Sequence, residues 1–231
     1  NEFLSRGAFP GLIKTGHTEA LHQLYTEILC KDAVIAGGIR DRNTLQRMAL
    51  HLITNTGEPV TANKLREKLK IKAVSTAAEH MQCIETAGLV RFVSILSDNP
   101  ARQAVNPRKV YAVDTALAAA VSTAETVDRN KLFETMLFNH LCRESRSVCY
   151  TNEQGGCDFI ASDAEGGVRC IQACYDDDPD LMQTKTDGLL WALRQTGASR
   201  GTIVTADRND RIDAENFEIE GIDADTFLGG Y

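Results

Sequence analysis

The chain has 231 residues, of which 43% are hydrophobic and 25% charged, and its formal net charge is −7. That is enough chain for two modest globular domains, and the acidic balance excludes a protein that is basic all over. No apolar run approaches the ~20 residues of a membrane-spanning helix, and no signal-peptide pattern opens the chain, so a cytoplasmic protein without a membrane partner is expected.

The charge is unevenly placed. Residues 1–125 carry 15 Lys+Arg against 12 Asp+Glu, whereas residues 126–231 carry 10 against 20. Between Pro59 and Lys109 there are 9 basic residues and 4 acidic ones. Any contact with nucleic acid is therefore expected in this middle segment. The cysteines at 30, 83, 142, 149, 157, 170 and 174 show no Cys-x-x-Cys spacing. Free thiols in a reducing compartment are expected; a zinc site from Cys149, Cys157, Cys170 and Cys174 would lack the usual paired knuckles.

Residues 1–42 read as a helical lead-in, with a turn at Gly7-Ala8-Phe9-Pro10-Gly11, a helix over Glu19–Ile35 and a stop at Gly37-Gly38. The sequence opens at Asn1 rather than Met, so the lead-in reads as the tail of a part lying upstream.

Residues 43–127 form the clearest unit. Asn43 or Thr44 caps a helix carrying Leu45, Met48, Ala49, Leu52 and Ile53 at helical spacing. Thr61 caps a second helix, Ala62–Leu69, and Ser75 or Thr76 caps a third that Gly88 ends. Two strands follow, Leu89–Leu96 and Arg108–Asp114, joined by a polar loop, with an alanine-rich connector over Thr115–Val127. Three helices and a two-stranded wing is the plan of a winged helix-turn-helix. That plan puts the start of the third helix (Val74, Ser75, Thr76, Glu79, His80) toward a DNA groove, with Lys64, Lys70 and Lys72 beside it and Arg102, Arg108 and Lys109 on the wing. The blander alternative is a protein contact with a solvated basic face. The third helix is poor in base-reading side chains, Gln82 apart.

Residues 128–231 begin with a helix, Arg129–Arg143, in which Glu134 stands beside an apolar stripe. A strand at Val148–Thr151 and a hairpin follow, Cys157–Ala161 and Val168–Tyr175, joined by the acidic-glycine turn Asp163–Gly167. A helix over Asp180–Thr196, a buried parallel strand over Gly201–Ala206, a strand over Phe217–Ile222 and a last helical turn complete the chain. Asp158 sits on the first hairpin strand and Gln172 on the second. A metal-dependent nuclease core places an acid on one strand and acid-x-Lys on its neighbour, to hold a divalent cation and steady the attacking water. Here the second part reads Gln172-Ala173-Cys174.

The fold class is accordingly mixed α/β (α+β): a winged helix-turn-helix followed by a restriction-endonuclease-like core. The order resembles the C-terminal region of uncharacterised prokaryotic AAA-like P-loop ATPases. The resemblance rests on Phe3-Leu4, Gly7-Ala8-Phe9-Pro10, Ile28 with Lys31-Asp32, Arg108 to Thr115, Leu132 to Phe138, Cys157-Asp158-Phe159-Ile160 and Ile171 to Asp176. It implies a parent ATPase whose missing N-terminal domain uses ATP and Mg, and it places Glu134, Asp158 and Gln172 at the positions of a degenerate nuclease site. Magnesium at Asp158 is the metal expectation, with Lys185 on the following helix within conceivable reach. No P-loop motif occurs in the chain, so no ATP hydrolysis is expected from it. Three functions stay open: a non-catalytic module that binds DNA or a protein partner, a weak divalent-metal-dependent nuclease, and a protein-interaction or oligomerisation region that docks on its upstream ATPase domain or on a second copy.

Overall fold

The computed structural model describes residues 18–31, 39, 41–122, 128–176, 178–209, 211–214 and 217–229. The expected turn at residues 7–11, the stop at Gly37-Gly38 and the end of the alanine-rich helix at 123–127 lie outside them. In chain order the elements are α1 (Thr18–Ile28), α2 (Arg42–Thr54), β1 (Pro59–Val60), α3 (Ala62–Leu69), α4 (Val74–Thr86), β2 (Val90–Val93), α5 (Pro100–Val105), β3 (Arg108–Ala112), α6 (Thr115–Val121), α7 (Arg129–Glu144), β4 (Ser147–Thr151), β5 (Cys157–Ser162), β6 (Val168–Cys174), α8 (Pro179–Thr196), β7 (Arg200–Thr205), β8 (Arg211–Ala214), β9 (Phe217–Asp223) and α9 (Ala224–Gly229). This is a mixed α/β protein. Among the described residues no helix is long and apolar enough to cross a membrane.

Two compact units divide the chain. The first holds the described residues up to Val93 together with Pro107–Thr135, and the second holds Ser94–Asn106 with the described residues from Met136 onward. The segment between β2 and β3 thus belongs to the second unit, and α7 passes from the first to the second after Thr135.

In the first unit, caps and apolar spacing explain the helices. Asp41, not Asn43 or Thr44, caps α2 by accepting from the Thr44 N–H, and Thr61 caps α3 through the Lys64 N–H. Leu45, Met48, Ala49, Leu52 and Ile53 of α2 are buried, as are Leu65 and Leu69 of α3 and Ala77, Met81 and Ile84 of α4. Helix α4 begins at Val74, a residue earlier than its expected caps, and Ala73 at its N-cap gives no side-chain hydrogen bond. The lead-in helix α1 packs against α6. The sheet runs β1-β3-β2, all antiparallel. Strand β1 was not expected; it is two residues long and has no periodicity to read.

The second unit is a six-stranded sheet in the order β4-β5-β6-β7-β9-β8. Its β4-β5-β6 part is antiparallel, and β6, β7 and β9 run parallel. Helix α8 connects β6 to β7 and packs over β5, β6 and β7. Cys157, Ile160, Cys170, Leu189, Ala192, Leu193, Ile203 and Ile219 form the core between helix and sheet. Ser94 to Leu96, the end of the strand expected over Leu89–Leu96, joins this sheet rather than continuing β2. Leu96 N–H donates to Tyr150 O (2.7 Å), Tyr150 N–H donates to Ser94 O (3.2 Å), and α5 follows, capped by Asn99.

One approach fixes how closely α8 lies on the sheet. A Cβ built at Gly188 would stand 1.9 Å from the Gly156 carbonyl oxygen and 3.1 Å from Gln172 Nε2. Backbone cannot yield as a side-chain tip can, so Gly188→Ala should destabilise the chain by about 2–3 kcal/mol. Gly229→Ala, where no atom lies within 4 Å, should change little. Urea unfolding of the two variants checks the contrast; equal midpoints would refute this account of α8.

Candidate functional site

Strands β5 and β6 pair regularly from Ser162↔Val168 to Phe159↔Ile171. Beyond that point two side chains take over from the main chain. Asp158 N–H donates to Gln172 Oε1 (3.0 Å), and Ala173 N–H donates to Asp158 Oδ2 (3.0 Å). On the β4 side, where the register shifts, Cys157 N–H donates to the hydroxyl of Thr151 (3.1 Å). Asp158 is 6% exposed and Gln172 0%. A buried N–H left without an acceptor is costly, and these side chains supply the acceptors.

Helix α8 closes the constellation. Lys185 Nζ donates to Asp158 Oδ2 at 2.5 Å, with the lysine side chain 19% exposed and the aspartate side chain 8%. Gln172 Nε2 donates to two carbonyls, Gly156 O (2.7 Å) and Lys185 O (2.8 Å). An amide nitrogen has two hydrogens, and both are used. The neighbouring Cys174 thiol is 2% exposed, and burial pushes it above its ordinary pKa, against the pull of Lys185 and Arg208.

This donor set does not fit a divalent cation. Hard cations want several oxygen ligands, and here a single carboxylate already carries an ammonium. Gln172 Oε1 is turned to a main-chain N–H. Among the described residues no group of three or more His, Cys, Asp or Glu side chains is placed to hold a metal ion. None of the seven cysteines is in a disulfide, and Cys157, Cys170 and Cys174 are buried.

A cavity lies elsewhere in the second unit. Its volume is about 660 Å³, and Leu96, Cys149, Ile160 and Trp191 line it together with Arg102 and Glu153. Asp158, Gln172 and Lys185 do not line it.

Of the expected acids, Glu134 has a different place. It belongs to the first unit, where its Oε1 accepts from Lys109 Nζ (2.7 Å) and from the buried Tyr111 hydroxyl (2.5 Å). It is not a loose surface residue, and Asp158 and Gln172 belong to the second unit. Lys131 pairs with Glu58, and the Thr56 and Thr135 hydroxyls meet at 2.7 Å, so three contacts hold the start of α7 in the first unit.

The expected DNA-contacting residues divide in two. Lys64, Lys70 and Lys72 are exposed, and so is Ser75, with Thr76 half-buried. The others are committed. Lys109 is paired with Glu134, Arg102 with Glu153 at 3.0 Å, and the Arg108 guanidinium lies 4.5 Å over the Phe92 ring. His80 corrects the expectation outright: at 2% exposure it is a core residue, because the α4 face carrying Ala77, His80, Met81 and Ile84 is the one that packs inward. Lys68, not among the expected residues, is exposed one turn after Lys64, and its i, i+4 spacing marks it in the sequence.

With this geometry in place, comparison with known families matches residues 1–128, more than half of the 231, to a Domain of unknown function (DUF8612). The chain is thus a mixed α/β protein of two units. It belongs to the DUF8612 family. No curated protein and no solved structure matches it.

Two outcomes are expected from this geometry. Gln172→Glu, which puts back an acid, sets a charge against two carbonyl oxygens and loses both donors. It should destabilise the chain by about 2 kcal/mol or more in urea unfolding; an unchanged midpoint would refute the role given to the amide. The second outcome concerns pH. Burial holds His80 below its ordinary pKa of 6.5, against the pull of Asp41 and Glu79, and burial lowers His51 as well. His80 Nδ1 has no hydrogen-bond partner among the described residues. The unfolded chain takes up protons that the folded chain refuses. Stability is therefore full above pH 6.5 and falls as pH drops toward the folded values. The urea midpoint should be lower at about pH 5.5 than at about pH 7.5, and His80→Leu should shrink the difference.

Proposed function

We propose that the chain is a non-catalytic C-terminal module of a P-loop ATPase, with a DNA-binding winged helix-turn-helix in its first unit and a degenerate restriction-endonuclease-like core in its second. The observation that carries the reading is the state of Asp158. Its carboxylate is neutralised by Lys185, and the Gln172 amide beside it is used at both ends. A catalytic nuclease carboxylate must be free to ligate a cation and a water. This one holds a strand end and a helix together.

Support for the first half comes from the order α2–α3–α4–β2–β3, with β1 completing the sheet, and from the exposed lysines of α3 and the turn after it. Support for the second half comes from the mixed sheet and from α8 crossing between the parallel strands β6 and β7, with Asp158 and Gln172 at the ends where nuclease-type cores keep their acids. ATP and Mg belong, in this reading, to the upstream domain of the parent, and the cell compartment is the cytoplasm.

The same lysine favours one second reading. A weak divalent-metal-dependent nuclease would need an ammonium beside Asp158, and Lys185 is there at 2.5 Å. The two readings part in one assay. Supercoiled plasmid incubated with the chain in Mg²⁺ and then in Mn²⁺ should stay intact, as it does with Asp158→Ala. Nicking by the wild type that disappears in Asp158→Ala would establish the nuclease and end the scaffold reading.

A further inference from the structure

The sequence plan gives DNA to the third helix and the wing. The side-chain partners point elsewhere. We propose that the first unit grips duplex DNA by its phosphates alone, across α3 and the turn leading to α4, and that α4 reads no bases. This inference rests on the DNA-binding reading above.

Each cation expected on the wing is engaged: Lys109 with Glu134, Arg102 with Glu153, and Arg108 over Phe92. Withdrawing Lys109 would leave Glu134, whose side chain is only 14% exposed, without its counter-charge. Such a pair does not open cheaply for a phosphate.

The outer face of α4 is no better suited. It exposes Val74, Ser75, Ala78, Glu79, Gln82 and Thr86. No Arg, Lys or Asn occurs in the helix, and its one amide, Gln82, stands two turns in and gives one of its two hydrogens to the Thr86 hydroxyl at 3.3 Å. Glu79 would bring a carboxylate toward the phosphate wall. Base edges are read by bidentate amides and guanidinium groups, and the first two turns of α4 offer none.

Lys64, Lys68, Lys70 and Lys72, by contrast, are all exposed within nine residues of chain, and none makes an ion pair among the described residues. Their one basic neighbour with a partner is Arg66, which pairs with Glu67 at 3.0 Å. Lys64 and Lys68 share a face of α3, one turn apart. Lys70 stands at φ 56°, ψ 42°, a left-handed conformation that glycine would adopt at less cost. A row of unpaired ammonium groups with no base reader beside it suits a polyanion whose charges repeat regardless of sequence. Duplex DNA is that polyanion, and its contacts here carry position without information.

The test uses the full chain and two labelled duplexes of unrelated sequence, followed by fluorescence anisotropy as salt is raised from about 50 to about 200 mM. The two duplexes should bind alike, within about threefold. Four phosphates neutralised give a slope of about −3.6 in log K against log salt, at about −0.9 for each contact. Lys64→Ala, Lys68→Ala and Lys72→Ala should each lower that slope by about one. Lys70→Gly should do the same while the chain unfolds at no lower temperature, which separates loss of contact from loss of fold. Arg102→Ala should leave the slope unchanged. A strong preference for one duplex that vanishes in Ser75→Ala or Gln82→Ala would overturn the inference and leave DNA binding standing. No retention of either duplex at the lowest salt, or displacement of DNA by an equal charge of polyglutamate, would end the DNA-binding reading itself.

Discussion

The second unit depends on the way two strand ends are finished. Strands β5 and β6 part after Phe159 and Ile171. Parting strands expose main-chain N–H groups in a place too buried for water, and each group must find an acceptor. Asp158 and Gln172 answer one another across the gap, each taking a main-chain hydrogen of the other strand. Both side chains also bond to α8, Asp158 to Lys185 Nζ and the Gln172 amide to Lys185 O, while the other amide hydrogen goes to Gly156 O. One lysine residue is thus held through its side chain and its main chain at once. Gly188, a turn further on, lets the helix settle on the Gly156 carbonyl. The polar group at the strand ends is therefore a fastening between sheet and helix, and its members are chosen by what the backbone lacks.

That choice explains why an amide stands at position 172. Two carbonyl oxygens face its nitrogen and one N–H faces its oxygen. An amide alone among the side chains of this length matches that pattern; a glutamate has no donor and a lysine no acceptor. The departure from acid-x-Lys reads in sequence as a loss. In three dimensions it is a positive requirement of the local hydrogen bonding. The ammonium that the strand lacks arrives from α8 instead, and it arrives as a counter-charge to Asp158.

Much of the frame was legible in the sequence because local chemistry dictates it. Thr61 before Ala62–Leu69, the turn Asp163–Gly167 and the apolar period of α2 each act over a few residues, and each element stands where its own residues put it. The acceptor for that turn is the Asp163 side chain itself, whose Oδ1 takes the Glu165 and Gly167 N–H groups. Two short strands were not legible. Strand β1 has two residues, and β8 has four, too few for their alternation to stand out. Ser94 to Leu96 read as the end of one strand with β2, yet the Leu96 N–H and Ser94 carbonyl pair with Tyr150, more than fifty residues away, which no local pattern encodes. The site was half legible for the same reason. Asp158 and Gln172 face each other because the hairpin register sets them so. Whether Glu134 meets a metal or a lysine is decided by which strand α7 lies against, and Lys109 and Tyr111 on β3 decide it.

Charge in the first unit follows from the same selection of partners. The two cations of β3 are drawn into contacts: Lys109 sits beside a carboxylate that burial would otherwise make costly, and Arg108 covers an aromatic ring. Cations on α3 and its turn have nothing comparable within reach, since Glu67 is taken by Arg66 and the inward face of the helix is Leu65 and Leu69. An exposed ammonium with a flexible stem costs the fold almost nothing and gives it almost nothing. Four of them close together raise a local positive potential on a protein whose net charge is −7. Stability does not account for that concentration, and at Lys70 it runs against the conformational preference of the backbone. The feature that folding leaves unexplained on the first unit is therefore electrostatic and lies on α3 and the turn after it, whereas on the second unit folding accounts for the polar group completely.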